Sequence, residues 1–129
     1  MIVIDASAFV DAVDGNQPVI DRLTGEDIHA PHLLDVEVMS ALRRLVGRGR
    51  LDERRALETL AVLEQGDIHR HSHVPLLSVV WSLRGRVSAY DAAYVALAAA
   101  LEAPLVTTDR KLASLPGLPC DVEVPGQLP

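Results

Sequence analysis

Short apolar runs alternate along this chain with stretches of helical periodicity, and that alternation narrows the possible folds more than any other feature. Ile2-Val3-Ile4 is β-branched throughout, the pattern of a strand buried on both faces. Asp27 to Ala30 (stopped by Pro31), Ile68 to His71, Leu105 to Thr107 and Val122 to Val124 read as further short strands, the last at an edge. Between them the periodicity predicts helices. Ser7 caps one that runs to about Val13, and others cover Pro18 to Leu23, Leu33 to Val46, Asp52 to Glu64, Leu76 to Leu83, Ser88 to Glu102 and Asp109 to Ser114. The third carries the stripe Leu34, Val38, Ala41, Leu42 and Leu45, and the fourth has Ala56, Leu57, Leu60, Ala61 and Leu63 as its apolar residues. Strands joined through helices align in parallel and need helices on both faces. The expected fold is therefore α/β, three layers with a central, mainly parallel sheet flanked by helices. Ligands of such sheets sit beyond the carboxyl ends of the strands, so chemistry is expected just after Ile4 and after Thr107.

The length, 129 residues, suits a single domain spanning 1–129, and 49% apolar with 23% charged residues describes an ordinary globular composition. One cysteine, Cys120, is too few for a disulfide framework or a cysteine-rich zinc site, and a reducing, cytoplasmic setting is expected. No basic segment precedes an apolar stretch at Met1, so no leader is expected. The longest apolar run, Ala92 to Leu101, falls well short of the roughly 20 residues a spanning helix needs, so no membrane partner is expected. Charge is unevenly divided. Arg43, Arg44, Arg48, Arg50, Arg54 and Arg55 share one window with Asp52 and Glu53, giving it +4 while the rest of a chain of net charge −6 carries −10. Such a window is either a solvated helix end or a local anion-binding surface on an acidic body.

Four acids stand where a core does not want them. Asp5 and Asp109 each follow an apolar strand, where capping of the next helix is a sufficient reason for either. Asp91 opens the apolar run to Leu101, and Ser88-Ala89-Tyr90-Asp91 also fits a capping box. Glu37 has no such reason, since it falls between Leu34 and Ala41 on the apolar stripe. One arrangement accounts for all four: two acids at strand ends and two on helices packed against the same edge. Clustered carboxylates raise one another's pKa until a cation relieves them. Oxygen ligands without His or Cys favour Mg²⁺, or Mn²⁺, over zinc. An ion of that class activates water and neutralises a phosphoryl group.

Four segments carry a resemblance in order and at ordinary spacing. They are Met1-Ile2-Val3-Ile4-Asp5-Ala6-Ser7-Ala8, Pro31-His32-Leu33-Leu34-Asp35-Val36-Glu37-Val38, Ser88 to Ala98, and Leu105-Val106-Thr107-Thr108-Asp109-Arg110-Lys111-Leu112. Together they resemble the PIN domain, and within that superfamily the chain is most similar to VapC toxins of type II toxin–antitoxin systems. The resemblance implies a Mg²⁺-dependent endoribonuclease that restrains translation and growth, with Asp5, Glu37, Asp91 and Asp109 as the catalytic and metal-binding quartet. The first three face the metal directly in that assignment, and Asp109 acts through water or a second ion. Ser7 and Thr107 are hydroxyls placed to orient a carboxylate or a water. A cognate VapB-type antitoxin, a homodimer, an RNA substrate, and products bearing a 5′-phosphate and a 3′-hydroxyl are implied as well. Arg43, Arg44 and Arg48 become candidates for RNA phosphates. Arg44 and Arg48 lie about 10–16 Å beyond Glu37 along a helix.

Two other readings stay open: a non-catalytic interaction module of the same fold, and a phosphohydrolase with Asp5 as nucleophile, although Ser7 stands where that chemistry usually shows a second Asp. His69, His71 and His73 would share one face of a strand, with no acid or cysteine adjacent in sequence to complete a metal site. Trp81, among Leu77, Val80 and Leu83, reads as core, and packing is the default for Tyr90 and Tyr94. Cys120 lacks the neighbours of a nucleophile.

Overall fold

Ile2, Val3 and Ile4 are wholly shielded from solvent, as only a central strand covered on both faces can be. In the computed structural model, which describes residues 1–127, they form β1 (Ile2–Ile4). There follow α1 (Ala6–Val13), α2 (Gln17–Leu23), β2 (Ile28–Pro31), α3 (Leu33–Gly47), α4 (Glu53–Gln65), β3 (Ile68–His71), α5 (Leu77–Ser82), α6 (Ala89–Leu101), β4 (Leu105–Val106), α7 (Arg110–Ser114) and β5 (Val122–Glu123). The strands lie in the order β3-β2-β1-β4-β5 and every pairing is parallel. The expected α/β architecture is the one observed.

That order positions the site. The chain builds outward from β1 through β2 to β3, then returns to the other side of β1 to lay down β4 and β5. Connections from β1 and β4 therefore leave in opposite directions, and a crevice opens beyond their carboxyl ends. Asp5 follows β1, and the Thr107 to Asp109 segment follows β4.

Helices cover both faces. Ile4, Ile28 and Ile68 look toward α1, α2 and α4. α6 lies across β1, β2 and β4, and its run Ala92 to Ala98 is buried throughout. Its alanines let the helix approach the sheet closely, which is why an element with so little polar surface sits in the interior.

Local details depart from the sequence reading at five places. The residue that caps α1 is Asp5, whose carboxylate accepts from the Ala8 N–H, and Ser7 lies inside the helix. Pro31 is the last residue of β2 rather than its stop; it sits opposite His71, and the neighbouring His32 N–H donates to the His71 carbonyl. Leu57 is 60% exposed, because the inward stripe of α4 runs through Ala56, Thr59 and Leu63 and Leu57 is turned away from it. Trp81 is 67% exposed: α5 is only six residues long, Leu83 at its end turns inward, and the indole instead supports the Arg84 guanidinium at 4.6 Å. Tyr90 stands open to solvent, while Tyr94 is fully buried.

Candidate active site

Asp5, Glu37, Asp91 and Asp109 come from four separate parts of the sequence and line one cavity of about 670 Å³. β1 and β4 end at it, α3 supplies Glu37, and the first turn of α6 supplies Asp91.

Asp5 is the anchor. Its Oδ1 accepts from the Ser7 hydroxyl at 2.6 Å and from the Ala8 N–H at 3.0 Å, and its Oδ2 accepts from the Thr107 hydroxyl at 2.5 Å. Both hydroxyls are fixed in turn by the strand-end backbone, the Thr108 N–H donating to Ser7 Oγ and the Asp109 N–H to Thr107 Oγ1. With both hydroxyl protons committed to Asp5, the 3.3 Å approach of Ser7 Oγ to Thr107 Oγ1 is a contact without a shared proton. The capping and functional readings of Asp5 are thus compatible: one carboxylate ends β1, starts α1 and faces the cavity.

Asp109 also caps, its Oδ1 accepting from the Lys111 and Leu112 N–H groups, which leaves Oδ2 uncommitted among the described residues. In the capping box at α6 the Ser88 hydroxyl accepts from the Asp91 N–H.

The electrostatics are those of crowded acids. Asp5 is held above the usual carboxylate range, first by burial and further by the charge of Asp109, against the opposing hydrogen bonds from Ser7, Thr107 and Ala8. Glu37 is raised by burial and by the charges of Asp91 and Asp5, with Tyr94 and Arg44 pulling the other way. Asp91 is raised by burial, then by Asp109 and Asp5, against an opposing hydrogen bond from Ser88. Among the described residues, no three of these carboxylates bring an oxygen each within 4.8 Å of one another.

The donor set fits a hard divalent cation: four carboxylates with two supporting hydroxyls, and neither sulfur nor imidazole on the cavity wall. The Tyr94 hydroxyl, buried on the same wall, lies beside Glu37: burial and that carboxylate keep it protonated far above neutral pH, and its interaction with Glu37 in turn opposes the rise of the Glu37 pKa. The sequence carried no sign of this, since Tyr94 there looks like any core aromatic.

The arginine window divides. Arg44 and Arg48 line the cavity, one and two turns beyond Ser40 and Ala41 on the same wall, whereas Arg43 does not. Arg50 and Arg55 border a separate hollow beside Asp11 and Asp14, with Arg55 3.5 Å from Asp14. Arg54 lies 3.9 Å from Glu58, both well exposed.

The Thr107 arrangement makes a direct prediction. Thr107→Val removes the donor to Asp5 and the acceptor for the Asp109 N–H while preserving shape. Losses of such supporting groups typically cost about 10–100-fold in metal affinity or activity. Thr107→Ser should restore most of it, and divalent-metal affinity of the two variants is the measurement.

The PIN domain family model matches residues 2–118. Ribonuclease VapC1 of Mycobacterium tuberculosis is 46% identical over 127 residues, covering 95% of this chain and 96% of that protein. VapC ribonuclease Mb0985 of Mycobacterium bovis is 42% identical over 127 residues, covering 96% and 98%. Among solved structures, a toxin–antitoxin complex from Klebsiella pneumoniae superposes with a TM-score of 0.67 at 16% identity, over 99% of this chain and 100% of that one, a likeness of fold.

Proposed function

Because this chain belongs to the PIN domain family, we infer that it is an endoribonuclease toxin of the VapC type and that its acidic cavity is where RNA is cut. The observation that carries the site assignment is the meeting of Asp5, Glu37, Asp91 and Asp109 around one cavity at the point where the strand order reverses.

Asp5, Glu37 and Asp91 would hold a Mg²⁺ or Mn²⁺ ion, with Asp109 Oδ2 placed for a water ligand or a second ion. When bound, such an ion neutralises phosphoryl charge and activates water for in-line displacement. The chain's own residues do the rest. Ser7 and Thr107 lock the Asp5 carboxylate so that it presents a fixed edge to the cavity. The Tyr94 hydroxyl directs its proton toward Glu37 and steadies that carboxylate. Arg44 and Arg48 offer guanidinium groups to phosphates flanking the scissile bond.

A VapB-type antitoxin and a second copy of the chain are the proposed protein partners. Exposed Val36 and Met39 on α3, close to the cavity, support a protein partner on that side. No helix among the described residues is long and apolar enough to cross a membrane.

The test is cleavage of a labelled RNA by the purified chain. Activity should require Mg²⁺ or Mn²⁺, disappear with EDTA and return when the ion is restored. Cleavage undiminished in EDTA would remove the metal from the reading. For the arginines, the Arg44→Ala, Arg48→Ala double variant should flatten the dependence of log kcat/KM on log salt, by roughly 0.7 per lost contact to single-stranded RNA. An unchanged slope would take both residues off the RNA path.

A further inference from the structure

Away from the acidic cavity, on the outer side of the sheet, three imidazoles and one carboxylate meet across β2 and β3. The parallel register sets His29 against His69 and Pro31 against His71, so the side chains of one strand reach those of the other. Asp27, just before β2, lies against both: its Oδ2 is hydrogen-bonded to His29 Nε2 at 2.9 Å, and its Oδ1 lies 3.0 Å from His69 Nε2. The His29 and His69 rings stack with centroids 4.7 Å apart. One ligand atom from each of Asp27, His29 and His69 falls within 4.8 Å of the other two. None of these residues lines the acidic cavity.

We propose that Asp27, His29 and His69 form a second metal site, for a borderline transition ion of the Zn²⁺ class, distinct from the carboxylate quartet. Two nitrogens and one carboxylate oxygen are the ligand types zinc takes, and three protein ligands with solvent in the fourth position is a common zinc arrangement. A tetrahedral zinc at ordinary bond lengths separates its ligand atoms by about 3.3 Å. One atom from each residue already lies within 4.8 Å of the others, so the three draw together by at most about 1.5 Å to reach that spacing, Asp27 binding through one oxygen. The half-exposed side chains of Asp27 and His69 leave the fourth position open to water, while His29 is buried and rigidly placed.

His71 completes the case. Its Nε2 lies 2.8 Å from His29 Nδ1. In the ion-free arrangement the acceptor-only carboxylate draws a proton to His29 Nε2, so Nδ1 must accept from His71. With a metal on Nε2 the proton moves to Nδ1, which then donates to His71, the orienting bond that metal-bound histidines regularly make. His71 can take either role, so His29 stays satisfied with or without the ion. His73, the third member of the histidine run, lies past the end of β3 at the next turn, and its expected place is taken by Asp27 and His29 from the neighbouring strand.

Untagged full-length chain, titrated with ZnCl₂ in excess Mg²⁺, should bind one Zn²⁺ and show a higher melting temperature with zinc. The Asp91→Asn variant should bind zinc unchanged. His69→Ala and Asp27→Asn, both at exposed positions, should abolish stoichiometric binding while keeping the circular dichroism spectrum and RNA cleavage, and His71→Phe should weaken binding about 10–100-fold. Cobalt(II) added to the unaltered chain should give the intense visible ligand-field bands of a four-coordinate site, a readout that does not depend on any variant folding. Absence of binding, stoichiometric zinc in the His69→Ala, Asp27→Asn double variant, or a weak octahedral cobalt spectrum would each overturn the proposal.

Discussion

Asp5→Asn should lower RNA cleavage by more than about 100-fold without unfolding the chain, the largest loss of activity expected from a single side chain here. Supporting groups around a metal already cost about 10–100-fold when removed, and Asp5 is the carboxylate they support. Folding should survive because Asn is as good an N-cap as Asp, so the Ala8 N–H keeps its acceptor and α1 keeps its start. The Thr107 hydroxyl, which donates to Oδ2, can rotate to accept from the new amide instead. Single-turnover cleavage rates beside circular dichroism and melting curves decide the matter. A rate within about tenfold of the unaltered chain would show that Asp5 is only a cap.

Asp91→Asn should separate activity from stability in opposite directions. Burial and the charges of Asp109 and Asp5 raise the Asp91 pKa in the folded chain. Between the ordinary carboxylate pKa of about 3.9 and that raised value, the native state binds more protons than the unfolded state. Stability therefore falls as pH climbs through this window, and at neutral pH the ionised Asp91 opposes folding of the ion-free protein. Asn carries no charge to desolvate or to repel Asp5 and Asp109. In EDTA at neutral pH the variant should melt higher than the unaltered chain, and the difference should shrink as the solution is acidified toward the ordinary carboxylate pKa. With Mg²⁺ present, cleavage should drop by more than about 100-fold and the magnesium-induced rise in melting temperature should be lost. A variant that melts lower in EDTA at neutral pH would show that Asp91 holds the fold together, contrary to the electrostatic account.

Much of the site is legible before any coordinates because its chemistry conflicts with its position. Glu37 on the inward stripe of α3 is the clearest case: a carboxylate on an apolar face demands a reason, and Asp5, Asp91 and Asp109 supply one. Tyr94 presents no such conflict. An aromatic in an apolar helix is ordinary, and only the tertiary structure puts its hydroxyl beside Glu37 on the cavity wall. Arg43, Arg44 and Arg48 look alike in sequence. Helical phase sends Arg44 and Arg48 toward the pocket and Arg43 elsewhere, and the angle of α3 to the sheet is not written in its own residues. Trp81 fails for the opposite reason. Its apolar neighbours promise burial, but a six-residue helix has too little surface to enclose an indole.

The alternation of β-branched runs and amphipathic helices determined by itself that the chain would form a parallel sheet with helical cover, because strands joined through helices have no other way to pair and bury their faces. The types and positions of four acids determined equally that oxygen chemistry was wanted at strand ends. Strand order was decided only in three dimensions. It puts β1 between β2 and β4, so that Asp5 and Asp109 share one crevice, and it lays β3 beside β2, so that Asp27 and His29 meet His69 rather than His73. Order and register come from the mutual fit of many weakly specific apolar contacts across the whole core, whereas each local element needs only its own periodicity.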